Sequence, residues 1–123
     1  MQVKHVMTRG VEWISPDCTV QEAAEKKKSL AIEPLPVCEG ERLVGMLTDR
    51  DISVRIIAGG HDPNRCTVRV AMTPEVICCF EDQEIEEVIR LSQENQVLDL
   101  PVVDRNGRFV GIVSLNSLAL QAH

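Results

Sequence analysis

Apolar positions along the chain fall into short runs divided by polar turns, and the runs form two matching series. In the first, Val20, Ala23 and Ala24 hold the i, i+3, i+4 spacing of one helix face, and Thr19 with Glu22 forms a capping box at its start. Ile85, Val88 and Ile89 repeat that face 65 positions later. After each helix come two apolar runs, "LPVC" and "RLVGML" joined by "EGE", then "LPVVD" and "FVGIV" joined by "RNG". The glycines and the asparagine accept the positive φ of a tight hairpin. A short strand is expected near residues 11–14, and a last helix from about Asp49 to the helix-ending pair Gly59-Gly60. Each copy therefore reads strand, helix, strand, strand, helix, an α/β (α+β) arrangement.

The repeat holds in the letters as well as in the periodicity. An offset of 65 lays "VKHVMTRGVEWIS" (3–15) on "VRVAMTPEVICCF" (68–80) and Leu35-Pro36-Val37 on Leu100-Pro101-Val102. One inserted residue then makes the offset 66 and puts "RLVGML" (42–47) over "RFVGIV" (108–113). The predicted organisation is repeat 1 over 1–60, the linker "HDPNRCT" over 61–67, and repeat 2 over 68–123. A unit of about 60 residues leaves much of its apolar surface wet. Two units packed sheet to sheet about a pseudo-twofold axis would cover each other and leave two equivalent clefts, places where small ligands bind.

Composition narrows the function. The formal charge of −6 opposes binding to nucleic acid, and the run Lys26 to Lys28 is flanked by Glu22 and Glu25 as on a solvated helix face. No stretch has the roughly 18 apolar residues of a membrane helix, and "MQVKHVMTRG" lacks the apolar centre of a signal peptide, so a cytoplasmic protein is expected. The five cysteines, Cys18, Cys38, Cys66, Cys78 and Cys79, contain no C-x-x-C pair and fit reduced thiols. Adjacent Cys78 and Cys79 would point to opposite faces of a strand, which disfavours joint metal binding. His5, His61 and His123 are scattered without ligand spacing, and Trp13 fits core or interface better than a purine contact. There is no G-x-S-x-G, H-E-x-x-H or P-loop pattern, and no enzyme is expected.

The doubled set, "VMT" or "AMT" opening each copy, "LPV" in the middle and "VGMLTDRD" or "VGIVSLNS" at the end, resembles a tandem pair of CBS domains, a Bateman module. The resemblance runs from about Val3 to Ala119. It implies a stand-alone regulatory module that binds an adenosine-containing ligand (AMP, ADP, ATP or S-adenosylmethionine) between repeats. It further implies a homodimer that signals to a separate protein partner, as yet unknown, with no cofactor required.

The residues that would carry this are specific. A strand ending at Thr48 before a helix beginning near Asp49 points backbone N–H groups, through Asp49 and Arg50, at an anion. Thr48 can donate to a phosphate, and Asp51 can accept from a ribose diol. The same T-x-x-D pattern also serves as a helix cap with no ligand at all. By the family's cross-repeat arrangement, Val97, Leu98 and Asp99 would enclose the base in this main cleft. The second cleft would use Ser114, Asn116 and Ser117 with Ile32, Glu33 and Pro34, and is expected to be weaker because Ser117 replaces the carboxylate. Some nucleotide-binding relatives carry basic residues where this chain has Glu33-Pro34 and Leu98-Asp99. That disfavours ATP unless Arg50, Arg55, Lys4, His5 or Arg9 compensates, and favours AMP or cationic S-adenosylmethionine. The alternatives are a ligand-free dimerising interaction module and, behind it, a redox sensor at Cys78 or Cys79.

Overall fold

The structure, a computed structural model, describes residues 1–114. The expected last helix of the second copy, with Asn116, Ser117 and His123, lies outside the described residues.

Helix α1 (Val20–Leu30) starts where the capping box predicts it: the Glu22 amide donates to Thr19 Oγ1 at 3.1 Å, and the Thr19 amide donates to Glu22 Oε1 at 3.1 Å. It stops at Ala31 in the left-handed region (φ 54). Strands β1 (Leu35–Glu39) and β2 (Arg42–Leu47) form the predicted hairpin, with Gly40 supplying the positive φ of 66. Helix α2 (Asp49–Asp51) then runs on as a π-helical stretch, Ile52–Ile57, widened so that the Ala58 amide donates back to Ser53 O. The chain turns out of it at Gly60, φ 76.

After the short helix α3 (Val68–Ala71) and strand β3 (Thr73–Pro74), the second copy repeats the plan. It has β4 (Cys79–Phe80), α4 (Ile85–Asn95), β5 (Asp99–Val103) and β6 (Phe109–Ser114). The strand expected near 11–14 is reduced to one bridging residue, Ile14, parallel to Val37. Its counterpart Cys79 lies in β4, which pairs in parallel with β5.

The chain divides into two compact units that do not follow the copies in sequence. One holds Met1–Val11 and the chain from Ile77 on; the other holds Glu12–Val76. In the second of these, β3 of the later copy adds to the sheet β1-β2-β3, with Met46 opposite Thr73. In the first, Thr8 of the earlier copy bridges Ile112 in β6 of the sheet β4-β5-β6. Each "MT" opening thus lies along the other copy's last strand.

That crossing explains the glycine of the two "VG" pairs. A Cβ on Gly45 would sit 2.8 Å from both Met72 Sδ and the Thr73 carbonyl, and one on Gly111 would sit 2.5 Å from the Thr8 carbonyl. Only glycine lets the two backbones come this close.

Each unit has its own aliphatic core, as the scarcity of aromatics requires. One packs Val20, Ala23, Leu35, Val37, Leu47 and Ile56. The other packs Val3, Val88, Leu100, Val102 and Val113 with Ile85. The i, i+3 positions read from the sequence are the ones buried on α1 and α4.

Candidate functional site

At the end of β2, Thr48 leaves the strand in extended conformation (φ −107, ψ 165), and the helix starts at the next residue. Its hydroxyl oxygen accepts from the Asp51 amide at 3.1 Å, while the Thr48 amide donates to Asp51 Oδ2 at 2.9 Å. The second capping box is therefore built from the two residues that carry the T-x-x-D pattern.

Asp51 does more than cap. Its other oxygen, Oδ1, accepts from the Thr73 hydroxyl at 2.9 Å, and its side chain is held at 9% exposure. Arg55, one turn on, donates from Nη1 to the Ala71 and Met72 carbonyls, so the same helix is fastened twice to the segment that enters β3. Thr73 escaped notice as a site residue because nothing local joins it to Asp51, 22 positions away. The signal was the "MT" shared by both openings.

On the other side of the helix start, the Asp49 amide donates to Glu33 Oε1 at 3.0 Å. Lys27 reaches this corner from α1 with a side chain only 4% exposed. Its ammonium lies 3.4 Å from the Leu47 carbonyl, 3.4 Å from Asp49 Oδ1 and 4.0 Å from Glu33 Oε2. A hydrogen bond between the two carboxyl groups pushes Glu33 above the usual carboxylate range and pulls Asp49 below it. A groove of about 440 Å³ opens beside them, with Lys27, Lys28, Glu33 and Asp49 on its charged wall and Ala31 and Ile32 on its apolar one. Arg50 is exposed, and Pro34 is half-buried ahead of β1.

In the other unit, Asp99 opens β5 directly opposite Ser114 at the end of β6. Val97 is half-buried and its carbonyl accepts from Ser92 Oγ at 2.8 Å, whereas Leu98 is exposed. Within each unit, then, the residues preceding "LPV" lie beside the same copy's Thr48 or Ser114: Glu33 at Asp49, Asp99 at Ser114.

The CBS domain model matches this chain twice, over residues 3–58 and 68–121. The chain belongs to the CBS domain family. It is 40% identical to the CBS domain-containing protein YhcV of Bacillus subtilis, over 96% of this chain and 83% of that protein. It is 36% identical to inosine-5'-monophosphate dehydrogenase of Methanocaldococcus jannaschii over 92% of this chain but only 22% of that protein. Two crystal structures share the fold throughout. Hypoxic Response Protein I with two coordinated zinc ions is 32% identical with a TM-score of 0.87, covering 98% of both chains. CBSX2 in complex with AMP is 25% identical with a TM-score of 0.83, covering 98% of this chain and 95% of that one.

CBS-pair proteins are regulatory ligand-binding modules, and the stand-alone ones are typically non-catalytic. Among the described residues no three His, Cys, Asp or Glu side chains converge where a metal ion could be held, and no helix is long and apolar enough to cross a membrane.

Two of the five cysteines are buried and poorly suited to thiol chemistry. Burial pushes the Cys38 and Cys79 thiols up to about 12 and raises Cys78 as well. Iodoacetamide at pH 8 is therefore expected to modify Cys38 and Cys79 of the native protein more than about a hundredfold more slowly than those of the unfolded chain. Peptide mapping by mass spectrometry reads this directly, and comparable rates in the two states would restore the redox alternative.

Proposed function

We propose that this CBS pair is a cytoplasmic, non-enzymatic sensor that binds an adenosine-containing ligand at the Thr48–Asp51 turn and passes its occupancy to a protein partner. The observation that carries this is Asp51. An ionised carboxylate has about four acceptor positions, and Thr48 and Thr73 use one on each oxygen, so each oxygen keeps one for a ribose hydroxyl. A buried carboxylate fixed in this way accepts a diol with little reorganisation. The AMP complex of CBSX2 supports the ligand class.

Asp49, Arg50 and Glu33, gathered at the same turn, complete the proposed main site. Ser114, Asn116 and Ser117 make the weaker one, because a serine hydroxyl replaces the charge-assisted acceptor. Occupancy reports outward through Thr73: a ribose hydroxyl on Asp51 alters the bond that Thr73 makes there, and Thr73 begins β3. A ligand shifts such an equilibrium only by binding one state better than the other.

The module is further proposed to act as a homodimer. Val54 and Ile57 lie three apart on the helix that follows Asp51, at 57% and 59% exposure, and Val70 on α3 is exposed as well. Exposed aliphatic side chains of this kind also favour the alternative, an interaction module that dimerises without a ligand.

Thermal unfolding with AMP, ADP, ATP and S-adenosylmethionine tests the proposal. A ligand at a hundredfold its dissociation constant stabilises the fold by about 2.7 kcal/mol. At least one of the four is expected to do so in the natural protein and to fail with Asp51→Ala. No shift with any would leave the dimerising module.

A further inference from the structure

The start of the helix at Asp49 is the part of the proposed site that would meet a phosphate, and the protein has already placed a carboxylate there. Glu33 Oε1 holds the first helical amide, that of Asp49, at 3.0 Å, and Thr48 Oγ1 holds that of Asp51 at 3.1 Å. Glu33 and Asp49 face each other at this helix start, and the buried ammonium of Lys27 reaches both, with Lys28 on the same wall of the groove; Asp51, in the same turn, caps the Thr48 amide. Lys27 also anchors Glu33, because its own position is fixed by the Leu47 carbonyl at the end of β2.

A phosphate entering here would have to displace the Glu33 carboxylate from the Asp49 amide, and would still face the charges of Asp49 and Asp51. A nucleoside, or one bearing a positive charge, faces neither obstacle. Electrostatics within a few ångströms of a partly dry helix start are strong enough to rank such ligands.

We propose that Glu33 is the specificity-determining residue of the adenosyl site, selecting uncharged or cationic adenosine derivatives and turning away those with a phosphate chain. This rests on the ligand-binding role of Asp51 given above. Glu33 then works as a built-in occupant of the helix N-terminus, and affinity falls in the order adenosine and S-adenosylmethionine, then AMP, then ATP.

Two substitutions separate its charge from its hydrogen bond. Glu33→Gln keeps an acceptor for the Asp49 amide and removes the charge; Glu33→Ala removes both and frees the amide. Glu33 is exposed, so both variants are expected to fold, which their unfolding curves will show. Isothermal titration with adenosine, S-adenosylmethionine, AMP and ATP is run on the natural protein, both variants and Asp51→Ala.

The natural protein is expected to bind adenosine or S-adenosylmethionine more tightly than ATP. The ratio is expected to shrink about tenfold in Glu33→Gln, a change of about 1.4 kcal/mol, and further in Glu33→Ala. If ligands bind in an Asp51-dependent way but the ratio stays the same in both variants, Glu33 has no such role and the sensor stands. ATP binding best to the natural protein would likewise overturn the role of Glu33 alone. If neither the natural protein nor the Glu33 variants bind any of the four, the sensor and the selectivity fall together.

Discussion

Gly111→Ala is expected to destabilise the chain by about 3 kcal/mol, and Gly111→Val by more, although both put an apolar group onto an apolar strand. The Cβ would lie 2.5 Å from the Thr8 carbonyl and 3.3 Å from Met7 Sδ, and the carbonyl cannot retreat easily. Its oxygen accepts from the Ile112 amide at 3.0 Å while the Thr8 amide donates back to Ile112 at 2.8 Å, so moving it breaks the bridge. Gly10→Ala is the matched control: it has a left-handed φ of 70 but nothing within 4 Å of the added carbon, so only the backbone penalty of about 1 to 2 kcal/mol applies. Urea titration of the two variants compares them. If Gly111→Ala is no worse than Gly10→Ala, the opening segment does not pack on β6 as described.

Asp51→Ala is expected to cost about 1 to 3 kcal/mol with no ligand present, because it leaves the Thr48 amide and the Thr73 hydroxyl unpaired in a part-buried corner. It should also abolish stabilisation by any adenosyl ligand. Those two losses have separate origins, and Thr73→Val distinguishes them. It removes one bond to Asp51 while leaving the capping box intact, so its stability cost is about 1 kcal/mol. The double mutant Asp51→Ala with Thr73→Val is expected to be less destabilised than the sum of the singles, by about 0.5 kcal/mol or more. Strict additivity would mean that the Thr73 hydroxyl and the Asp51 carboxylate do not act together.

Thr48 and Asp51 could be read from the sequence because the chain supplies them twice over: as a local capping pattern, and as the end of a repeat whose other copy lacks the carboxylate. The helices could be read for similar reasons, since capping and i, i+3 burial depend on neighbours within one turn. What could not be read depends on which distant segment lies alongside. Thr73 meets Asp51 only because β3 adds to β2 of the earlier copy, and the glycine in "VG" acquires its steric reason only when "MT" lies across it. Glu33 was read as a departure from a basic pattern. Its actual bond, to the amide of Asp49, and the buried Lys27 behind it follow from how α1 packs beside β2. The strand expected near 11–14 looked like its counterpart by hydropathy, yet only Ile14 bridges β1, by way of the Pro36 and Cys38 backbone. Apolar character does not by itself specify how long a strand pairs.

The most direct measurement is an amide-resolved NMR titration of the natural protein with S-adenosylmethionine and, separately, AMP. The account predicts saturable shifts centred on the amides of Thr48 to Ile52 and on Thr73, absent when the titration is repeated with Asp51→Ala. Saturable shifts that spare this turn, or that persist in the variant, would contradict it.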